Sequence, residues 1–367
     1  GIRQGVVVNL EGAIRAVDRS IKEAEQTAGI EIDRVILGLS GAHIKGFNSR
    51  GVVSVAGKNR EIFTEDVGRA IEAARDIAVP SGREILHALV QDFVVDEQDG
   101  ITDPIGMTGS RLEVNVHVVT GSESSKQNIE NCLGRAGVKV QNAVLEQLAA
   151  NEAVLTTDEK ELGVALVDIG GGTTDFAVFE RGSIWHTGVI AIGGDHFTND
   201  LAVSLRTPIP DAEKLKQRAG CAFAALVDEE DMVEVPSIGG RAPRNMPKKL
   251  LAEVLQPHAE DVFHHLWDEI RRSGYERSLN AGVVLTGGGS KLEGMAEIAE
   301  QIFDLPIRRG FPDGVGGLAD HVQDPSFATA VGLAMYVNRE GAEAPQLGLG
   351  IFSGWRDRFG RILRDFF

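Results

Sequence analysis

The feature of this sequence that most restricts its fold is a run of three glycines set between two apolar segments. The segment DIGGGTTD (168–175) follows the strand-like run VALV and precedes FAVF, so the glycines turn the chain from one strand into the next. A turn without Cβ atoms lets consecutive backbone N–H groups form a concave nest that binds an anion such as phosphate. The residues of this candidate phosphate site are Asp168, Gly170, Gly171, Gly172, Thr173 and Thr174.

The acidic residue at the end of the first strand suggests a metal ion at the same site. Asp168 would stand beside the phosphates, where Mg²⁺ is usually held by one or two carboxylates, waters and phosphate oxygens. We therefore assign it as the candidate Mg²⁺ ligand, through a water molecule. The alternative is a glycine-rich hairpin in which the glycines only turn the chain.

Two further glycine sites follow strand-like segments in the second half of the chain. The segment LTGGGSKLEGM (285–295) joins a strand to a helix, whose N-terminus could closely approach an adenine or ribose. The segment IGGDHFTND (192–200) lies between the two glycine triplets. Alone, each could be a turn or a helix cap, but three such sites in one half-chain favour a ligand site. The residues concerned are Gly193, Gly194, Gly287, Gly288 and Gly289.

Composition and charge narrow the classes of function. The 367 residues suggest two or three domains. Lysine plus arginine number 37 against 54 acidic residues, and this net charge of −17 argues against nucleic acid as a partner. Two cysteines, Cys132 and Cys221, are too few for a disulfide framework and favour a reducing cytoplasm. No run approaches the roughly 20 apolar residues of a membrane span.

Hydrophobic periodicity predicts an α/β chain with an inserted unit whose pattern of strands and helices differs from the rest. RVILGLS (34–40) is predicted as a buried strand. The insertion contains strand-like GVVSVAG (51–57), a helix from Thr64, and RLEVNVHVV (111–119), in which apolar and polar residues alternate. Helical patterns follow at 195–205, 211–219 and 248–272. A small α+β unit thus interrupts a chain of strands and flanking helices.

These motifs resemble those of the actin, Hsp70 and sugar-kinase ATPase superfamily. DIGGGTTD is similar to its second phosphate loop and VVLTGGGSKLEG to its adenosine loop. Glu146, in VLEQLAANEAVL, matches the connecting helix whose polar residue orients the attacking water. Glu213 and Lys216, in AEKLKQRAGCA, match the E-x-x-K pair that faces the ribose, and their spacing lets both face one way on a helix. The resemblance implies ATP and Mg²⁺; for the last pair a surface ion pair is the alternative.

Within the superfamily, the chain is identified as a member of the FtsA family of bacterial actin-like division proteins. The insertion carries this resemblance, together with VEVPSIGGRAPR (233–244), GCAFAALV (220–227) and an amphipathic C-terminal segment. The implied fold is an actin-like two-domain ATPase with ribonuclease H-like halves, an inserted α+β subdomain and a C-terminal amphipathic helix. The implied boundaries are 1–41 and 122–157 for subdomain 1A, 42–121 for the insertion, 158–193 and 281–337 for subdomain 2A with its return helix, 194–280 for subdomain 2B, 338–352 for a linker and 353–367 for the terminal helix.

The resemblance also implies a function. Members of the family polymerise under ATP control and tether FtsZ filaments to the cytoplasmic face of the inner membrane at the division septum, where later divisome membrane proteins join. Nucleotide acts mainly as an assembly ligand, so the chain is expected to be at most a slow ATPase. Subdomain 2B receives the C-terminal tail of FtsZ, and a basic cluster there is the candidate landing site; a solvated charged face is the alternative. Its members are Arg241, Arg244, Lys248 and Lys249.

The sequence departs from the family pattern at two places. The family begins with a strand and turn that form the first phosphate loop, whereas Gly1 to Gly5 match a region just after it. We therefore expect the sequence to be a fragment of a longer protein that binds ATP poorly. Gln147 stands where the family usually has proline, which leaves the water-orienting role of Glu146 less secure.

The last fifteen residues, SGWRDRFGRILRDFF, form a continuous apolar stripe when helical. Such a segment is too short to span a bilayer but can lie among anionic lipid headgroups, and one copy would bind only reversibly. Filament formation would supply the avidity. The alternative is a last helix docked on the protein's own core. The apolar residues are Trp355, Phe359, Ile362, Leu363, Phe366 and Phe367, and the arginines are Arg356, Arg358, Arg361 and Arg364.

Two other functions remain open. A scaffold of type IV pilus assembly related to PilM would bind the peptide of a membrane partner rather than lipid, and the amphipathic tail argues against it. A phosphotransferase of the same superfamily would need a catalytic carboxylate in a sugar site, for which the sequence offers no convincing candidate.

Overall fold

The computed structural model describes residues 1–57, 59–316 and 321–341. It shows an α/β chain with two halves and an inserted four-stranded unit. The elements up to residue 154 are β1 (Ile2–Arg3), β2 (Val6–Val7), α1 (Leu10–Ala28), β3 (Arg34–Leu39), β4 (Lys45–Ser54), α2 (Thr64–Arg75), β5 (Arg83–Val95), β6 (Gln98–Ile101), β7 (Arg111–Ser122), α3 (Glu123–Arg135), β8 (Lys139–Leu145) and α4 (Glu146–Val154). Those that follow are α5 (Thr157–Leu162), β9 (Val164–Ile169), β10 (Thr174–Glu180), β11 (Ser183–Ile190), α6 (Gly194–Leu205), α7 (Ile209–Ala219), β12 (Met232–Val235), β13 (Arg244–Pro247), α8 (Lys248–Ser273), β14 (Val283–Thr286), α9 (Met295–Phe303), β15 (Ile307–Arg309) and α10 (Ala328–Gly341).

The second half is organised by a five-stranded sheet in the order β11-β10-β9-β14-β15. Strand β9 is antiparallel to β10 and parallel to β14, with Asp168 opposite Thr286 in the register. Apart from Asp168 and Thr286 near their ends, both strands are apolar runs, as expected for strands covered on both faces. Because β9 and β14 run the same way, the two glycine triplets that follow them leave the same edge of the sheet. The three predicted helices of this half are confirmed as α6, α7 and α8.

The inserted unit is a sheet in the order β4-β7-β5-β6 with α2 packed on it. The predicted helix from Thr64 is confirmed, but the predicted strand at 51–57 is wrong in its limits, since β4 spans Lys45–Ser54. The apolar face of β7 is buried as predicted, yet His117 on its other face is also fully buried. That face docks on β11, where His117 Nε2 lies 2.8 Å from Thr187 Oγ1. Because this second face of β7 also packs against β11, His117 is buried although it is one of the polar residues of an alternating strand.

The first half has a two-stranded parallel sheet, β3 with β8, flanked by helices. The prediction of a buried strand at 34–40 holds only for its end, because Leu39 is buried while the residues before it stay partly exposed. Within the described residues β3 pairs with β8 alone, so its other edge has no neighbouring strand to hydrogen-bond with. None of the helices within the described ranges is both long and apolar enough to cross a bilayer.

Candidate functional site

The two glycine loops open onto one cleft with a volume of about 560 Å³. This volume is in the range of pockets that hold small ligands. The floor comes from the turns after β9 and β14, and one wall comes from the start of α6 and the end of α7. The predicted site residues that line the cleft are Gly170, Gly171, Gly194, Glu213, Lys216, Gly288 and Gly289.

Both loops present unpaired backbone donors. The amides of Gly171 and Gly172 make no hydrogen bond to any described residue, and the same is true of Gly288 and Gly289. Gly170 differs, because its amide closes the turn on the carbonyl of Thr173 at 2.9 Å. Free amides in a glycine turn are the donors that a phosphate group requires. The arrangement therefore suits an anionic ligand at the ends of β9 and β14.

Gly287 shows why the second loop needs glycine. Its φ is +81°, a backbone conformation that disfavours side chains, and a Cβ would lie 2.1 Å from Asp168 Oδ1. Asp168 is in turn held by Thr329, whose hydroxyl donates to Oδ2 at 2.8 Å. Burial raises the pKa of the Asp168 carboxyl above its ordinary value. The second loop thus closes over the acidic residue of the first.

A second carboxylate, Asp175, is buried close to Asp168 and was not among the predicted site residues. It accepts hydrogen bonds from Ser40 Oγ at 2.7 Å and from Gln147 Nε2 at 3.0 Å. Burial raises its pKa to about 7. It is the last residue of DIGGGTTD, so an acid at that position of the motif was the available signal. Its partners, just after β3 and on α4, could not be read from the sequence.

Glu146 completes an acidic group at this end of the site. Burial, and then the charges of Asp175 and Asp168, raise its pKa to about 8. Asp175 is buried and the other two carboxyls are partly buried, and all three have raised pKa values. The described residues hold no cluster of three or more His, Cys, Asp or Glu side chains arranged as a metal site. The protein would therefore supply few direct ligands, as is usual for Mg²⁺ beside phosphates.

Glu213 and Lys216 lie on one side of α7, on the cleft wall. Lys216 Nζ is 2.8 Å from Glu213 Oε2, and the lysine side chain is only 14% exposed. The pair is therefore both an ion pair and part of the cleft, so it combines the two alternatives drawn from the sequence.

Several predicted residues support the cleft without lining it. Gly193 packs against the carbonyls of the first glycine turn, where a Cβ would lie 2.7 Å from Gly170 O. Thr174 donates to the carbonyl of Ile192 at 2.8 Å, and Thr173 lies 3.2 Å from Ser40 through their hydroxyls.

The glycine at the end of the first turn is also covered. A Cβ on Gly172 would lie 3.1 Å from the backbone nitrogen of Gln4, in the β1–β2 turn. That face of the turn is therefore occupied by the chain itself, and the free face is the one that Gly170 and Gly171 present to the cleft.

The four basic residues predicted as one partner site point to different places. Lys248 lines the cleft, with Nζ 3.9 Å from Glu293. Lys249 pairs with Glu229 at 2.5 Å, and Arg244 donates to the carbonyl of Leu205. Arg241 is exposed. The residues predicted to bind membrane, 355–367, lie outside the described residues.

Solved structures share this architecture. The PilM–PilN type IV pilus biogenesis complex gives a TM-score of 0.62 at 19% identity, over 91% of this chain and 87% of that one. MreB5 of Spiroplasma citri bound to ADP gives 0.54 at 16% identity, over 94% and 80%. At such identities the likeness concerns the fold alone. The protein therefore has the actin-like ATPase fold, and the predicted fold class is confirmed except for the C-terminal helix, which lies outside the described residues.

Sequence relatives define the family. The family model described as cell division protein FtsA matches residues 165–332, and that of the SHS2 domain inserted in FtsA matches 41–120. The cell division protein FtsA of Pseudomonas aeruginosa is 49% identical over 92% of this chain and 80% of its own length. The chain belongs to the FtsA family of actin-like cell division proteins, as the sequence motifs predicted.

Proposed function

We propose that this protein binds ATP in the cleft, polymerises, and tethers FtsZ filaments to the cytoplasmic face of the membrane at the division septum, where it recruits later divisome proteins. The observation that carries the nucleotide part is the pair of adjacent glycine loops with free amides, facing one cleft of about 560 Å³. Membership of a cell division family supports the cellular part.

The cleft offers a place for each part of a nucleotide. The free amide of Gly171, which faces the cleft, suits the phosphates. The bare backbone of Gly288 and Gly289 suits the flat face of the adenosine, opposite the α7 wall. With the nucleotide in this orientation, its phosphates would lie near the carboxyls of Asp168, Asp175 and Glu146.

Mg²⁺ would be held by Asp168 through water and by phosphate oxygens, and when bound it would neutralise phosphate charge. The protein's own residues fix the geometry around it. Thr329 orients Asp168, and Ser40 with Gln147 orients Asp175. Glu146, at the first turn of α4, would hold a water molecule near the terminal phosphate.

The proposed attachment to FtsZ and to lipid rests on the charge and the apolar pattern of the residues concerned. Arg241 is exposed and has no ion pair with a described residue, so it is the member of the basic group that is free to meet an acidic peptide. The tail with six large apolar residues and four arginines suits anionic headgroups. Assembly would multiply these weak contacts.

Alanine substitutions in the two loops test nucleotide binding. A Cβ at Gly171 would lie 3.7 Å from Asp195, and one at Gly288 would lie 3.9 Å from Ser326, so both variants should fold. Their methyl groups would cover the backbone that meets the ligand. We expect the double variant to bind Mg·ATP about tenfold more weakly, or about 1.4 kcal/mol, in calorimetry or ligand-observed NMR.

The matched control is Gly134→Ala, where a Cβ meets open space on α3. It should bind Mg·ATP like the unmodified chain. If the double variant and this control bind Mg·ATP with equal affinity, the cleft does not bind nucleotide as proposed.

A further inference from the structure

Helix α4, which carries Glu146, begins without a cap from its own sequence. Its N-cap residue is Leu145, whose side chain cannot accept a hydrogen bond from the first amides of the helix. Leu145 is also the last residue of β8, where it pairs with Leu39 of β3. The other edge of β8 has no strand beside it among the described residues. The start of α4 therefore depends on contacts from elsewhere in the chain.

The inserted unit makes such a contact. The backbone N–H of Leu145 donates to His87 Nε2 on β5, and the two nitrogens are 3.1 Å apart. A ring nitrogen that accepts a hydrogen bond carries no proton, and burial lowers the pKa of His87 to about 4, which keeps the ring neutral at pH 7. Leu86 and Leu89 on the same strand pack against the apolar cluster that contains Leu145 and Leu148. The hydrogen bond thus belongs to a packed interface between the insertion and the first half.

The insertion is also connected to Gln147, the second residue of α4, through β11. His117 Nε2 of the insertion lies 2.8 Å from Thr187 Oγ1 on that strand. The carbonyl of Gly188, the next residue of β11, accepts from Gln147 Nε2 at 3.4 Å. The insertion therefore bridges the two halves at the start of α4.

Glu146 is the residue whose place depends most on the His87 contact. It directly follows Leu145 and is the first residue of α4. Its carboxyl lies against β3, where a Cβ on Gly38 would be 3.3 Å from Glu146 Oε1. Because a side chain is carried by its own backbone, a shift at the Leu145 amide would move this carboxyl within the acidic group.

We infer that His87 of the insertion is a positioning residue of the nucleotide site, which fixes the start of α4 and with it the carboxyl of Glu146. The inference rests on the proposed nucleotide cleft and extends the site to a unit that lines none of it. His87 acts from outside the cleft, through one backbone hydrogen bond. Its removal should therefore affect the terminal phosphate, which would lie near Glu146, and spare the rest of the nucleotide.

The test measures the affinity of the full chain for Mg·ATP and for Mg·ADP by calorimetry. His87→Leu removes the acceptor and keeps a side chain that suits the apolar surroundings, whereas His87→Gln keeps an acceptor at similar reach. The matched control is Ser183→Ala, because it removes another hydrogen bond between β11 and the insertion. In that bond Ser183 Oγ donates to the carbonyl of Gln91 at 3.1 Å, and α4 is not involved.

We expect His87→Leu to weaken Mg·ATP by about fivefold and to leave Mg·ADP within about twofold, because only ATP has the terminal phosphate beside Glu146. His87→Gln and Ser183→Ala should keep the ratio of the two affinities found for the unmodified chain. In a Glu146→Gln background, His87→Leu should not change the ratio further, because the group through which it acts is already altered.

Two results would overturn the inference. If His87→Leu weakens both nucleotides equally, or has its full effect in the Glu146→Gln background, the histidine only stabilises the fold. If it changes neither affinity, the hydrogen bond has no consequence for the site. Should His87→Leu fail to fold, His87→Asn takes its place, since its shorter side chain cannot reach the Leu145 amide.

Amide hydrogen exchange in the chain without nucleotide separates this inference from the proposed function. The segment 143–149 should exchange faster in His87→Leu than in Ser183→Ala, and His87→Gln should restore the slower exchange. Unchanged exchange in a chain that binds both nucleotides would contradict the positioning role alone. An unmodified chain that binds neither nucleotide would instead refute the proposed cleft, and the role of His87 in it.

Discussion

Three acidic residues, each from a different element, lie close together beside the first glycine loop. Asp168 is the second-last residue of β9, Asp175 lies on β10 and Glu146 begins α4. Their pKa values are raised because burial disfavours the charged form. The folded protein without a cation therefore holds protons that the unfolded chain would release near pH 4. This arrangement lowers the stability of the folded protein at neutral pH. Binding of a cation near the three carboxyls would offset that loss.

The pH dependence of stability should report this group. A carboxyl whose pKa is about 8 when folded and 4.5 when unfolded costs stability as pH rises between those values, because only the unfolded state has lost the proton. Without Mg²⁺ we expect the free energy of unfolding in urea to fall from pH 5 to pH 8. In Glu146→Gln the fall should be smaller, by on the order of 1 kcal/mol per pH unit at most.

The control for this experiment is Glu253→Gln, because Glu253 is exposed on α8. Its pH profile should match that of the unmodified chain. A Glu146→Gln profile with the same slope as the control would mean that Glu146 is ionised in the folded protein.

At the scale of elements, helices α4 and α10 hold the site together. Gly332 of α10 lies against the backbone of α4, where a Cβ would come within 2.0 Å of Ala149 O. Helix α4 carries Glu146 and also Gln147, which donates to Asp175, and α10 carries Thr329, which donates to Asp168. A close helix pair therefore sets the distance between residues that orient Asp168 and Asp175.

Gly332→Ala should separate these helices. Because the clash is with backbone, which cannot rotate away, we expect a loss of about 2 kcal/mol or more in urea unfolding. Gly134→Ala, also helical but with open space around the Cβ, should instead stabilise the chain by up to about 1 kcal/mol. If both variants have the same stability, α10 does not pack on α4 as described.

The elements also show what sequence reasoning could and could not reach. The glycine loops were predictable because their spacing and their flanking apolar strands are local features. Ser40 and Thr329 were missed because they meet the acidic group only after β3 and α10 are packed. Lys248 and Lys249 are neighbours in sequence, but successive positions on a helix point apart, so one lines the cleft and the other pairs with Glu229.

At the scale of the whole molecule, charge is distributed unevenly along the chain. The net charge is −17, whereas the last fifteen residues carry four arginines against two aspartates. Net charge therefore argues against a nucleic acid partner but says little about membrane contact, which depends on this one segment. A single short amphipathic helix binds lipid weakly, so attachment of a filament would require many copies.

The measurement that tests the central claim most directly is co-sedimentation of the full chain with FtsZ and anionic liposomes. The unmodified chain should carry FtsZ into the liposome pellet. Trp355→Glu, which places a charge in the apolar stripe, should leave both proteins in the supernatant, and Trp355→Phe should behave like the unmodified chain. Pelleting of FtsZ by Trp355→Glu to the same extent would contradict the account of this protein as a membrane tether.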